Sequence, residues 1–453
     1  MIHQFSLNGC HITVDVYSGA VHVTDEMGML AIQLCESLPK EEVKKALLAK
    51  GLDGEAIGQT LEQIEGLKKE GQLYAPNVFE QNASCFQKRQ GEIKALCLHV
   101  AHTCNLTCSY CFAAQGRFHG QSALMSFDVA KKAIDFLIQN SGKRRHLEVD
   151  FFGGEPLLNM DVVRQTVTYA RSKEKEFGKV FRFTITINGM FLDDELTEYF
   201  NQEMDNVVLS LDGRKEVHDR FRVDAFGKGS YDMIVPKFQR FVKKRGDRSY
   251  YIRGTFTHHN PDFFEDIRHM VDLGFRELSM EPVVTSPGDP SALTKDDMPI
   301  VFEAYEKLAK YLIDLNKAGK PVRFYHFNLD LENGPCLYKR IVGCGSGSEY
   351  LAVTPWGDLY PCHQFVGDAS YKMGNLDEGI TRPDLQADFL ETNLFSHSEC
   401  KDCWAKFYCS GGCAANNVRA SGSLQGIYKE GCDIFRKRME CALMMQAAMD
   451  EEN

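Results

Sequence analysis

Cys104, Cys108 and Cys111 stand at C-x3-C-x2-C spacing just after an apolar run at 96–101. Three thiolates on one short loop can hold three corners of a cubane [4Fe–4S] cluster and leave the fourth iron open to a small molecule. Zinc knuckles favour C-x2-C pairs with a fourth ligand close by, and none is adjacent here. A second concentration lies in the tail, at Cys344, Cys362, Cys400, Cys403, Cys409, Cys413 and Cys432. Taken alone, the spacing from Cys400 to Cys413 reads most simply as a zinc site. Residues 112–335 contain no cysteine, whereas nine of the chain's 16 crowd into 336–453. Such clustering fits metal ligation in a reduced, cytoplasmic compartment better than a disulfide framework.

Elements must position these thiols. The chain has 453 residues, 43% hydrophobic and 25% charged, the composition of a soluble globular protein of two or three domains. Its net charge of −11 argues against nucleic-acid binding driven by phosphate contacts. No apolar stretch approaches the ~20 residues that span a bilayer, and the N-terminus lacks a signal-peptide pattern. Neither nucleic acid nor membrane is therefore an expected partner.

Residues 1–75 read as short strands at 5–8, 11–15 and 20–23, then helices at 27–38, 41–49 and 54–70. That is a winged-helix-like α+β module. Residues 76–94 are polar and read as a linker. Strands at 96–101, 147–152, 181–187, 207–211, 250–257 and 277–281 then alternate with amphipathic stretches at 127–139, 160–176, 193–203, 230–244 and 263–273. Six β/α units imply a parallel sheet, open or closed as a partial barrel, with chemistry at the C-terminal strand ends. Helical pattern continues through 295–318. The tail, 319–453, has little apolar periodicity before a last helix near 433–449, so it is expected to fold around metal.

The cysteine loop followed by Phe112 resembles the signature of the radical S-adenosylmethionine (radical SAM) enzymes, and further pieces follow in order. Gly153-Gly154-Glu155 ends the second strand; alone it would be merely a turn, but after this loop it looks like the family's site for the methionine amino group. Asn188 ends the third strand and Ser210 the fourth. The resemblance points to Ser210 for the ribose and Arg222 for the carboxylate, with Arg253 a rival and Tyr110 bordering the adenine. A structural salt bridge is the plainer reading for either arginine. The implied fold is a partial (β/α)6 radical SAM barrel over 95–318. The implied reaction begins with a 5′-deoxyadenosyl radical that abstracts hydrogen from an unactivated carbon.

The tail resembles the SPASM extension of peptide-modifying radical SAM enzymes, which implies two auxiliary [4Fe–4S] clusters and three in all. The family's pairing would place Cys344, Cys362 and Cys413 on the first and Cys400, Cys403, Cys409 and Cys432 on the second. Two full clusters need eight thiolates. Either Cys336 is the eighth, or the first cluster keeps an open iron for a substrate thiolate. Cys10, Cys35, Cys85, Cys97 and Cys441 are expected to be inert buried thiols.

The whole arrangement is similar to the maturases of the six-cysteines-in-forty-five-residues (SCIFF) peptides, which form sactipeptide thioethers. That resemblance implies a cysteine-rich precursor peptide, bound through its leader by the front module, and a flavodoxin or ferredoxin as electron donor. It implies a thioether from a cysteine sulfur to a carbon of another residue, typically threonine. No general base is evident. Two other readings remain: an anaerobic sulfatase maturase making formylglycine, and an iron–sulfur sensor whose front module binds DNA.

Overall fold

The computed structural model describes residues 1–82, 92–331 and 337–450. At the front, β1 (Ile2–Leu7), β2 (Cys10–Asp15) and β3 (Val21–Thr24) form an antiparallel sheet in that order. Helices α1 (Glu26–Cys35), α2 (Lys40–Ala49) and α3 (Gly54–Lys69) follow. Ile32, Val43, Leu47, Ile57 and Leu61 close a core of their own between these helices. Leu7, Ile12 and Val14, from the sheet, instead belong to the main core of the molecule. The linker expected at 76–94 falls partly outside the described residues, and Cys85 lies there.

The main sheet begins with β4 (Ala95–Ala101), followed by α4 (Phe127–Asn140), β5 (His146–Gly153), α5 (Met160–Phe177), β6 (Val180–Ile187), α6 (Asp194–Glu203) and β7 (Asn206–Ser210). Two helices, α7 (Lys215–Phe221) and α8 (Tyr231–Arg245), lead to β8 (Tyr250–Phe256), α9 (Phe263–Asp272), β9 (Glu277–Pro282), α10 (Met298–Lys317) and the short β10 (Arg323–Phe324). Side-chain caps set several helix starts. Ser126 Oγ accepts from Val129 N at 3.3 Å and Asp193 Oδ1 from Leu196 N at 2.8 Å. In β5 the alternation is plain: Leu147, Val149 and Phe151 are fully buried, while Glu148, Asp150 and Phe152 face the opposite side of the sheet.

The tail does not form a separate sheet. Its hairpin, β11 (Tyr350–Val353) and β12 (Asp358–Tyr360), lies beside β4, with β11 parallel to it and Leu351 opposite Leu96. Strands β13 (Gly374–Asn375) and β14 (Gly379–Ile380) extend the edge. The order is β10-β9-β8-β7-β6-β5-β4-β11-β12-β13-β14, parallel from β10 to β11 and antiparallel beyond. With β11 on one side and β5 on the other, β4 is buried at every position. Short helices α11 (Leu337–Val342), α12 (Pro383–Glu391), α13 (Lys406–Cys409) and α14 (Ala414–Ser421) precede the long α15 (Lys429–Asp450), which packs along α10 and pairs Lys437 with Glu306.

The front sheet sits on this tail through its β1 side. The His3 ring stacks on Trp404 at 3.9 Å and its Nε2 lies 3.0 Å from Glu440 Oε1. β3 forms the opposite edge, where Val23 is 44% exposed. Among the described residues no helix is long and apolar enough to cross a membrane.

Candidate functional site

The loop bearing Cys104, Cys108 and Cys111 leaves the C-terminal end of β4 and is clamped from two sides. Gly154 N donates to Ala101 O at 2.7 Å and Glu155 N to Thr103 O at 3.0 Å. A Cβ on Gly153 would stand 2.3 Å from Ala101 O, and one on Gly154 2.1 Å from Thr103 O, so this approach requires glycine. On the other side Thr107 N donates to Val223 O at 2.7 Å.

The three thiols sit within one another's field. Burial pushes Cys104 up to about 12, with the charges of Glu155, Cys108 and Cys111 adding to the rise. Burial also lifts Cys108 to about 12, against the pull of Arg222. Such thiols keep their protons at neutral pH unless a metal displaces them, which is the donor chemistry an iron–sulfur cluster requires. Among the described residues no three His, Cys, Asp or Glu side chains converge as ligands of one ion would. A cubane carries its thiolates on separate irons, a wider arrangement than a single ion needs.

Of the residues expected around the cofactor, the structure divides them into two groups. Glu155, Asn188, Ser210 and Arg253 lie at or near the ends of adjacent strands. Glu155 is 1% exposed, and its two oxygens accept from Asn188 N at 2.7 Å and Leu157 N at 3.0 Å. Burial raises it to about 7. Its carboxyl therefore braces the ends of β5 and β6, with one bond to each oxygen. Asn188 Nδ2 donates to Asn105 Oδ1 at 2.7 Å, holding the cysteine loop. Ser210 and Arg253 are register neighbours on β7 and β8. Arg253 is exposed, and among the described residues its guanidinium has no hydrogen-bond or ion-pair partner at contact distance. Its charge is felt at Glu281, His326 and His363.

Arg222 and Tyr110 form the second group, and here the expectation changes. Arg222 does not stand ready for a ligand carboxylate: it is paired in bidentate fashion with the fully buried Asp212. Tyr110 donates its hydroxyl to the same Asp212 at 2.6 Å and packs edge-on against Phe221 at 5.1 Å. Asp212 Oδ1 also accepts from Thr255 N at 3.0 Å. This acidic hub, two residues beyond Ser210, was assigned no role from the sequence; only its place at a strand end hinted at one. Phe112 stacks on Phe152 with ring centroids 6.5 Å apart.

Rings from β4, β5 and the tail also meet near the cysteine loop. His99 Nδ1 and His102 Nε2 are 3.1 Å apart, and His102 meets Trp356 of the tail hairpin at 5.2 Å. His363 packs on Phe152 at 5.0 Å. Its position next to Cys362 was the available signal.

The tail thiols fall into two sets. Burial pushes Cys362 up to about 12, and the charges it feels include Cys413 and Cys344. Burial likewise raises Cys400 and Cys409 to about 12, with Cys432 and Cys403 contributing to both. Cys400, Cys403, Cys409 and Cys432 line a cavity of about 300 Å³ that reaches Glu281 and Arg438, and Cys413 of the other set also borders it. Cys97 and Cys441 are buried, Cys10 and Cys35 partly so. Cys336 lies outside the described residues.

Two family models match this chain: the radical SAM superfamily over residues 98–273 and an iron–sulfur cluster-binding domain, SPASM, over 344–404. The chain is a radical SAM enzyme with a SPASM domain. The match to the radical SAM superfamily runs from β4 through α9 and includes all three loop cysteines. A cysteine-type anaerobic sulfatase-maturating enzyme of Clostridium novyi is 26% identical over 367 residues, 75% of this chain and 92% of that one. The radical SAM cyclopropyl synthase TigE of Paramaledivibacter caminithermalis is 21% identical over 76% of this chain and 73% of its own. Among solved structures, anSMEcpe with bound AdoMet and Cp18Cys peptide superposes with a TM-score of 0.64 at 19% identity, covering 79% of this chain and 99% of its own. Streptococcus suis SuiB bound to precursor peptide SuiA gives a TM-score of 0.54 at 17% identity, covering 92% and 95%. The last two show a shared fold.

Proposed function

We propose that this radical SAM enzyme matures a cysteine-rich precursor peptide by joining a cysteine sulfur to a carbon of another residue in the same peptide. The carrying observation is the front module. A three-stranded sheet whose β3 edge pairs with no further strand among the described residues is docked beside the tail thiols, a geometry suited to adding a leader peptide as a fourth strand. SuiB, which binds a precursor peptide, resembles nearly the whole chain, front included.

In this reading Cys104, Cys108 and Cys111 hold one cluster, and the two tail sets hold the auxiliary ones. When bound, SAM and the loop cluster would supply the radical chemistry, and the tail clusters would supply a sink for one electron. The protein's own residues do the rest. Gly153 and Gly154 bring backbone against the cysteine loop, Asn188 and Glu155 fix it, Arg253 would take the cofactor's carboxylate and Ser210 would meet its ribose. The Asp212–Arg222–Tyr110 hub holds the loop from behind. The net change removes two hydrogens from the peptide: one leaves carbon as a hydrogen atom, the other leaves sulfur as a proton, with one electron passed on.

A second reading, an anaerobic sulfatase maturase, is favoured by the 26% identical relative. Mass spectrometry of an anaerobic reaction separates the two. A leader-bearing precursor peptide that loses two hydrogens and has one cysteine resistant to alkylation supports the thioether. Formylglycine in a sulfatase peptide, with the precursor untouched, supports the second reading.

A further inference from the structure

One carboxylate at the strand ends differs from the others. Asp212 is bonded by both arms of Arg222, by Tyr110 and by Thr255 N. Glu155 accepts from two backbone N–H groups. Glu281, near the end of β9, has only longer ion-pair contacts. Its Oε1 lies 3.3 Å from His326 Nε2 and its Oε2 3.8 Å from Arg438 Nη1. Those partners are engaged elsewhere: His326 Nε2 is 3.1 Å from Ser279 Oγ, and His326 Nδ1 is 3.3 Å from Arg438 Nη1. Among the described residues the Glu281 carboxylate accepts no well-aligned hydrogen bond, and 34% of the side chain remains open. A carboxylate in such a setting normally takes two or more bonds. Glu281 is held in place with its acceptor positions unfilled.

Its location gives those positions a use. Ser210, Arg253 and Ser279 form one rung across β7, β8 and β9, and Thr255 and Glu281 belong to the next rung towards the strand ends. With a period of 2, all five lie on one face of the sheet. Glu281 and Pro282 also border the cavity that Cys413 and the Cys400 set line. Glu281 therefore stands where the SAM side of the barrel meets the tail thiols. A peptide that offers a carbon to one and a sulfur to the other passes over it.

Charge limits what Glu281 can take. Burial would raise the carboxyl, but the charges of His326, Arg438 and Arg253 outweigh it and hold it below its ordinary range. Burial pushes His326 down to about 4, so the charges that persist at neutral pH are the two arginines. An ionised carboxylate is an acceptor only. With Arg253 and Arg438 already in its field, a neutral N–H or O–H supplies the missing bond without bringing a third cation against them.

We infer that Glu281 anchors the peptide residue that surrenders its hydrogen, by accepting a hydrogen bond from a neutral donor of that residue, its hydroxyl or its backbone amide. This rests on reading the chain as a thioether-forming peptide maturase. The bond fixes the residue's rotation over the strand ends, so that one C–H is presented to the radical.

The test uses reconstituted holoenzyme and a synthetic leader-bearing peptide with one cysteine and one threonine, a residue that carries both donors. Two analogues each lose one donor: valine for threonine removes the hydroxyl, and an ester in place of the threonine amide removes the N–H. With the wild type, one analogue should lose about 10- to 100-fold in kcat/KM for thioether formation, the worth of one charge-assisted hydrogen bond. That analogue identifies the donor. Glu281→Ala should slow the parent peptide and erase the preference for it. Glu281→Gln, which keeps the shape and one acceptor oxygen, should retain part of the preference, and it carries the test should the alanine variant lose iron. Wild-type rates on both analogues would overturn the inference. So would an equal slowing of all three peptides in both variants, the mark of a brace between barrel and tail. A wild type that makes deoxyadenosine yet joins no sulfur to carbon in the parent peptide would instead remove the thioether reading, and this inference with it.

Discussion

Asp212 and Arg222 form a bidentate ion pair, Nε to Oδ2 at 2.8 Å and Nη2 to Oδ1 at 3.0 Å, with Asp212 wholly buried. Burial alone would raise Asp212, but the Arg222 charge and hydrogen bonds outweigh it and hold the carboxyl below its ordinary range. The pair's stabilisation is therefore complete above the unfolded carboxyl's pKa and is lost only as pH falls through the lower folded value. The pair leaves Arg253 as the guanidinium facing open space.

The two arginines should separate cleanly. Asp212→Asn strands a buried guanidinium and should cost about 3–5 kcal/mol in thermal or denaturant unfolding. Arg253→Ala, at an exposed position, should stay within about 0.5 kcal/mol of wild type. It should nonetheless weaken SAM binding by roughly 10- to 100-fold, the worth of one charge-assisted hydrogen bond. Unchanged SAM affinity in Arg253→Ala would place the cofactor's carboxylate elsewhere.

Asp150, on the face of β5 opposite Val149 and Phe151, gives a pH signature of opposite sign. Burial raises it to about 7, with Glu148 adding and a Thr184 hydrogen bond opposing. The folded state thus binds this proton more tightly than the unfolded chain, so stability falls as pH rises from about 4 to 7. Asp150→Asn removes the ionisation. Its melting temperature should lose much of the decline that wild type shows across this window. Parallel curves for the two proteins would show that Asp150 titrates normally.

Metal analysis tests the three thiol sets together. Three cubanes predict about 12 irons per chain, and about 8 after alanine replaces Cys104, Cys108 and Cys111. Replacing Cys400, Cys403 and Cys409 should give about 8 as well. Stoichiometric zinc in the wild type, lost with the tail replacements, would make that site mononuclear.

Much of this molecule could be read from its residues. From β4 to β9, strand and helix limits lie within a residue or two of the sequence pattern, because period-2 runs, period-3.6 runs and capping residues such as Ser126 and Asp193 agree locally. Short or long-range features escaped. Helix α7 has seven residues and no side-chain cap, and is held by tertiary bonds such as Asp212 N to His218 Nδ1 at 3.3 Å. The parallel pairing of β11 with β4 joins segments some 255 residues apart, which no local signal reports. At the site, spacing could nominate Arg222 but not the Asp212 that engages it, because that contact depends on how α7 turns back on β7.

The leader-binding proposal turns on which amides of β3 point outward. In an antiparallel edge, alternate residues pair with the neighbour and the rest face solvent. Within His22 and Val23, one N–H bonds β2 and the other is free for an added strand. Proline removes a single N–H with little disturbance where that group faces solvent. One of His22→Pro and Val23→Pro should therefore keep wild-type stability while lowering affinity for a fluorescent leader peptide by about tenfold or more; the other should destabilise the front sheet. Changes in SAM cleavage without peptide should be absent from the stable variant, because neither His22 nor Val23 is among the residues assigned to the clusters or to SAM. If the stable proline variant binds leader as tightly as wild type, strand addition at β3 is not how this enzyme holds its peptide.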